Sequence, residues 1–243
     1  MISVTKPRNR RQRVKNLLVP FLEEHIWPLL EPEGFCWRRS LRFWRGDSSG
    51  RQALEFAFRL SRRRTDPVLA YLCPRITVRK PGLGKQVQKL MGEETTAKKN
   101  PEVLVHQSVG LVSPDRANTR WILFGEEDLT DLGPFLGEYV KTYVLPFLNR
   151  YRSCRDIVEG WESGDERLAP PPGGWIQMVA ACLEAGRKEQ AAKILWSKVW
   201  GKAELREEYR FALRQLGIDP TPGQREEPET VPGTAQILDA PLP

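Results

Sequence analysis

At Phe35 the spacing of apolar residues changes from three-and-four to two, and it changes back near Leu129. A chain that makes this switch must join helices to a sheet. Before it, Val14, Leu17, Leu18, Phe21, Leu22, Ile26, Leu29 and Leu30 form the stripe of an amphipathic helix that Gly34 ends. Pro20 and Pro28 lie within that stripe, so the helix is expected to kink or break at one of them. After it, Phe35, Trp37, Leu41 and Phe43 alternate with Cys36, Arg38, Ser40, Arg42 and Trp44, which predicts one strand with a basic face. The run Gly46 to Gly50 is a hairpin turn into a second strand, where Leu54, Phe56, Phe58 and Leu60 alternate with Ala53, Glu55, Ala57 and Arg59. A basic turn, Arg62 to Pro67, leads to a third strand with Tyr71, Cys73, Arg75, Thr77 and Arg79 on one side, and Pro74 suggests that it is an edge strand or carries a bulge. Further alternation at 103–111 and 120–124 gives a fourth and a fifth strand, with a short helix over 85–91 between. The helical stripe then returns from about Leu129 to Tyr151, with Pro146 inside it. The fold class is therefore α+β: a mostly antiparallel sheet of about five strands packed by two long helices.

The remaining chain divides by composition. Residues 156–174 end in three consecutive prolines and two glycines and read as a linker. Beyond it the periodicity predicts a helical hairpin, Trp175 to Ala185 and Lys188 to Val199, turned at Gly186, and then a final helix over 203–217. The expected layout is a basic tail (1–13), an α+β domain (14–155), the linker (156–174), the helical extension (175–218) and a Pro-rich disordered tail (219–243).

Charge separates along the chain. Of the 243 residues, the first 80 carry a net +11, the next 80 a net −1 and the last 83 a net −3, so the overall +7 belongs to the first third alone. Such asymmetry suits an anionic partner, or a solvated face. Four cysteines at wide spacing and two histidines encode neither a zinc knuckle nor a disulfide framework, and no metal or cofactor is expected. Gly82-Leu83-Gly84-Lys85 lacks the spacing of a phosphate loop, no nucleophile elbow occurs, and Glu55 is followed by Phe56-Ala57-Phe58 with no lysine for an E-x-K nuclease pattern, so no catalytic residue is named. No apolar run is long enough to span a bilayer, and the basic start leads into a charged helix; the expectation is a cytoplasmic protein with no membrane partner.

Gly34-Phe35 after the first helix, Phe43-Trp44-Arg45 closing a basic strand, the lone Trp121 and Leu145-Pro146-Phe147-Leu148 in the last long helix resemble a bacterial domain-of-unknown-function family of small α+β proteins. The resemblance covers about 14–155, implies the same fold, and transfers no activity. In the C-terminal hairpin, Ala181, Leu183, Gly186, Arg187, Gln190, Ala191, Ala192 and Leu195 resemble a single tetratricopeptide-type helix pair.

Two constellations could carry function. If the first three strands are neighbours, one face presents Arg38, Arg42, Arg59, Arg75 and Arg79 with Trp44 and Tyr71, opposed only by Glu55, and Arg62, Arg63 and Arg64 extend the basic track. Guanidinium groups pair bidentately with phosphates and aromatic rings stack on unpaired bases, so this face suits single-stranded nucleic acid or another polyanion. The plainer reading is a solvated face whose arginine stems cover apolar neighbours or pair with acids such as Glu127 and Asp128. Trp196 and Trp200, four apart on the hairpin's second helix, are either its packing against the domain or an anchor for a protein partner. The sequence alone puts a non-catalytic interaction protein first, with the helical hairpin as the partner-binding surface; the alternative is the nucleic-acid or polyanion face, and the third is an enzyme of unspecified type.

Overall fold

The computed structural model describes residues 7–61, 67–92, 102–116, 120–169, 171 and 174–218. It is an α+β protein with a six-stranded antiparallel sheet in which β1 (Cys36–Trp37), β2 (Arg42–Gly46), β3 (Arg51–Arg59), β4 (Ala70–Arg79) and β5 (Val103–Ser108) are neighbours in that order. β6 (Trp121–Leu123) pairs antiparallel with the start of β4, Ala70 opposite Leu123 and Leu72 opposite Trp121. The chain forms two compact units. The first draws on Met1–Asp47, Gln52–Thr77 and Gln107–Arg150; the second on Ser48–Arg51, Val78–His106 and Tyr151–Pro243.

In the first unit the inner side of the strands is apolar. Phe43, Leu54, Phe56, Ala70 and Leu72 are fully buried, and Phe43 meets Phe56 edge-on at 5.9 Å and Trp37 in a stack at 5.3 Å. The helices that bury with it are α1 (Pro7–His25), α2 (Trp27–Leu30), α4 (Asp128–Tyr139) and α5 (Leu145–Arg150). Gly133 and Gly137 let α4 approach α1 closely: a Cβ on Gly133 would stand 2.5 Å from the His25 ring, and one on Gly137 3.4 Å from the His25 carbonyl oxygen. His25 is thus a packing residue, with Phe21 against its ring at 5.2 Å.

In the second unit α3 (Leu83–Met91), α6 (Cys154–Glu162), α7 (Trp175–Glu184), α8 (Lys188–Val199), α9 (Ala203–Glu208) and α10 (Arg210–Leu216) pack together. α7 is its centre, touching α3, α6 and α8. Val87, Leu90, Ile176, Val179, Leu195 and Leu213 fill the core.

Several details depart from the periodicity. The strand expected over 35–44 is a tight hairpin, because Trp37 Nε1 donates to the Ser40 carbonyl at 2.7 Å and Arg39 adopts a left-handed φ of 45°; this adds the sixth strand. β4 is a central strand rather than an edge, and Pro74 does not interrupt it; its missing N–H falls two residues past the last residue paired with β6. The break in the first helix falls at Pro28, in the first turn of α2, while Pro20 stays inside α1. α1 already begins at Pro7, and Arg10 donates to the carbonyls of Val68 and Leu69, so part of the expected basic tail is ordered helix. The second long helix passes through a π-turn, Val140–Val144, just before Pro146, where a wider turn takes up a residue that cannot donate. The front of the expected linker is α6, started by a capping box of Ser153 and Asp156 that a scan for prolines overlooks. The final helix breaks at Tyr209 into α9 and α10. The expected disordered tail, 219–243, lies outside the described residues.

Candidate nucleic-acid interface on the sheet

The hydrogen bond from Phe56 N to Leu41 O, 2.7 Å, sets β2 against β3 with Arg42 opposite Glu55 and Arg45 opposite Gln52. Because side chains alternate, Phe43 and Arg45 turn inward with Gln52, Leu54 and Phe56, leaving Arg42 and Trp44 outward with Ala53, Glu55, Ala57 and Arg59. On β4 the buried set is Ala70, Leu72 and Ile76, so Tyr71, Cys73 and Arg75 share the outward side. Cys36 of β1 is opposite Trp44, and Ile122 of β6 is opposite Tyr71.

This outward surface of the first unit gathers Arg38, Arg42, Trp44, Arg59, Tyr71 and Arg75. Arg38, Arg42 and Arg59 are exposed, and Trp44, Tyr71 and Arg75 are half-buried. Two guanidinium groups lie over aromatic rings: Arg38 over Trp44 and Arg120 over Tyr71, each 5.4 Å from the centroid. None of Arg38, Arg42, Arg59, Arg75 and Arg120 meets a carboxylate among the described residues. Other arginines do: Arg39 with Glu23 at 2.6 Å, Arg155 with Glu159 at 3.0 Å and Arg167 with Asp165 at 2.7 Å. Of Glu127 and Asp128, the acids expected to neutralise the face, Asp128 is engaged differently: its Oδ2 accepts from Gly125 N at 2.9 Å. What the surface offers chemically, among the described residues, is bidentate-capable cations that meet no carboxylate, beside ring faces; none of those residues is a nucleophile paired with a base.

The other residues singled out in the sequence are not among this set. Arg79 belongs to the second unit, and its Nε is buried without a hydrogen-bond partner among the described residues. Arg62, Arg63 and Arg64 lie outside the described residues. Trp196 on α8 and Trp200, the residue just past its end, are half-buried and pack on each other with ring centroids 5.0 Å apart.

Sequence reasoning missed Arg120 and Ile122. The alternation at 120–124 marks a strand, yet nothing local says that it pairs with the start of β4. Arg45 was also read only as part of a motif. It is a buried cation: its guanidinium donates to Gln52 Oε1 (2.7 Å), Asn149 Oδ1 (2.6 Å) and the Glu33 carbonyl (2.9 Å), and lies 4.6 Å over the Phe35 ring.

Among the described residues no group of three or more His, Cys, Asp or Glu could hold a metal ion, and no helix is long and apolar enough to cross a membrane. In the second unit Cys154 and Cys182 have their thiol pKa values pushed up to about 12, chiefly by burial, which leaves them unreactive near neutral pH. No family model matches the chain, and no similar curated protein or solved structure is found.

Proposed function

We propose that the outward face of β2, β3 and β4 binds single-stranded nucleic acid, with Arg38, Arg42, Arg59 and Arg75 on the phosphates and Trp44 and Tyr71 under unpaired bases. The observation that carries this reading is the absence, among the described residues, of carboxylate partners for these arginines, together with two guanidinium groups already resting on the aromatic rings. Glu55, opposite Arg42, is the one acid among the described outward residues of β2, β3 and β4, and it forms no ion pair with Arg42; a face meant only for solvation would be expected to intersperse acids more evenly, as the rest of this chain does. Phosphate supplies the missing counter-charge, and stacking on the rings tolerates any base. The activity is binding, without catalysis.

This reverses the order that the sequence alone suggests. Trp196 and Trp200 satisfy each other within the helical extension, so they offer a protein partner less than isolated exposed anchors would. A protein-binding role for the tetratricopeptide-like pair α7 and α8 is the second reading, supported by the partial exposure of both rings. Its test is loss of a co-purifying protein in a folded Trp200→Ala variant.

The primary test is fluorescence anisotropy of labelled single-stranded RNA, single-stranded DNA and duplex DNA at about 50 and 200 mM salt. Wild type is expected to prefer the single strands, with affinity falling as salt rises. The exposed double variant Arg38→Glu/Arg42→Glu is expected to bind at least about tenfold more weakly and to lose roughly 0.7 of log–log salt slope per phosphate contact removed. Equal binding by the variant at both salt concentrations contradicts the proposal.

A further inference from the structure

Two aromatic rings on the face are built alike. Trp44 stands on β2 with the Arg38 guanidinium over it, Tyr71 stands on β4 with the Arg120 guanidinium over it, and the ring-to-cation distance is 5.4 Å in both. Each has a register neighbour from an adjoining strand, Cys36 opposite Trp44 and Ile122 opposite Tyr71. Ile122 is 45% exposed, although a β-branched side chain on a sheet is usually covered.

We infer that these are two separate base seats, so that the ligand of the sheet face is a single strand several nucleotides long that lays one unstacked base on Trp44 and another on Tyr71. This rests on the nucleic-acid reading above and specifies which ligands satisfy it. β3 lies between the two strands, so the rings are at least two strand spacings apart, about 10 Å. Stacked neighbours in a nucleic acid strand rise only about 3.4 Å, so two adjacent stacked bases cannot reach both rings. A mononucleotide fills one seat, and a duplex, whose bases are paired and stacked inward, fills neither. A base entering a seat takes the place of the guanidinium on the ring, and the freed arginine is positioned for the adjacent phosphate. Exposed Ile122 gives the Tyr71 seat an apolar wall, which makes that seat the place where base identity can matter.

The test is anisotropy with 5′-labelled oligouridylates of two to ten nucleotides, using wild type, Tyr71→Ala, Trp44→Ala, and the exposed-site variants Arg120→Gln and Arg38→Gln. The arginine variants keep the measurement decisive if removing a half-buried ring unfolds the protein, which circular dichroism would report. The inference expects affinity to climb steeply with length up to the oligomer that spans both rings and then level off. It expects each ring variant to weaken the long oligomers by roughly tenfold or more and to flatten the climb, with the matching arginine variant changing affinity in the same direction. A dinucleotide that binds as tightly as a decamer, or long oligomers indifferent to Tyr71→Ala and Arg120→Gln, overturns the two-seat inference while leaving the sheet-face reading intact. If no oligomer of any length binds wild type, the reading beneath it fails as well.

Discussion

Single residues divide the arginines of this chain into two kinds by strand parity alone. Arg42 and Arg45 are three apart on one strand, yet Arg42 is exposed with no carboxylate partner, while Arg45 is 7% exposed and held by Gln52, Asn149 and Glu33. Burying a guanidinium is tolerable only when its donors are satisfied, and removing it strands the acceptors that surround it. Arg45→Met is therefore expected to destabilise the protein by about 2–4 kcal/mol, read from urea denaturation. Arg42→Met, by the same measurement, is expected to stay within about 0.5 kcal/mol of wild type. Equal costs for the two would mean that the face assignment is wrong. This distinction was half legible: alternation puts positions 42 and 45 on opposite faces, but only the fold brings Asn149, 104 residues away, to the guanidinium.

The elements were legible where a period ran undisturbed and illegible where one contact overrode it. The hairpin helices α7 and α8 fall within a residue of expectation, because Gly186 at φ 75° supplies the turn between two clean stripes. The split of the first strand into β1 and β2 depends on one indole hydrogen bond, and the continuity of β4 through Pro74 depends on where its partner strand ends; neither is written in the local pattern. Close helix contact is another such case. Gly133 on α4 faces the His25 ring, and Gly133→Ala is expected to cost about 1–2 kcal/mol because the ring must move. In a His25→Ala background the same substitution should be close to neutral, giving a coupling energy in a double-mutant cycle that independent sites would lack.

At the scale of the whole molecule, the charges that meet internal partners are not those of the sheet face. Asp165 in the second unit is opposed by its own burial, but hydrogen bonds from Arg167 and from the Tyr151 hydroxyl outweigh it and hold its carboxyl well below the usual carboxylate range. A carboxylate with a depressed folded-state pKa contributes stability that is fully present above its unfolded value, about 3.9, and is lost as pH falls below that. Asp165→Asn is accordingly expected to be less stable than wild type at pH 7, with the gap narrowing by pH 3; a gap that is unchanged would show that the charge of Asp165 is not what stabilises the fold. Arg38, Arg42, Arg59 and Arg75 on the sheet face, by contrast, meet no carboxylate among the described residues, and they belong to the first 80 residues, whose net charge is +11. The sequence carried that excess in plain view, and the face could be drawn from alternation once strand adjacency was assumed. Adjacency itself, and with it Arg120 over Tyr71, came only from long-range pairing.

The most direct measurement of the central claim is ultraviolet crosslinking of a bound 4-thiouridine decamer, followed by peptide mapping. The account predicts adducts on the peptides that carry Trp44 and Tyr71, reduced in Arg38→Glu/Arg42→Glu. Adducts confined to the helices between residues 175 and 218, or unchanged in the variant, would contradict it.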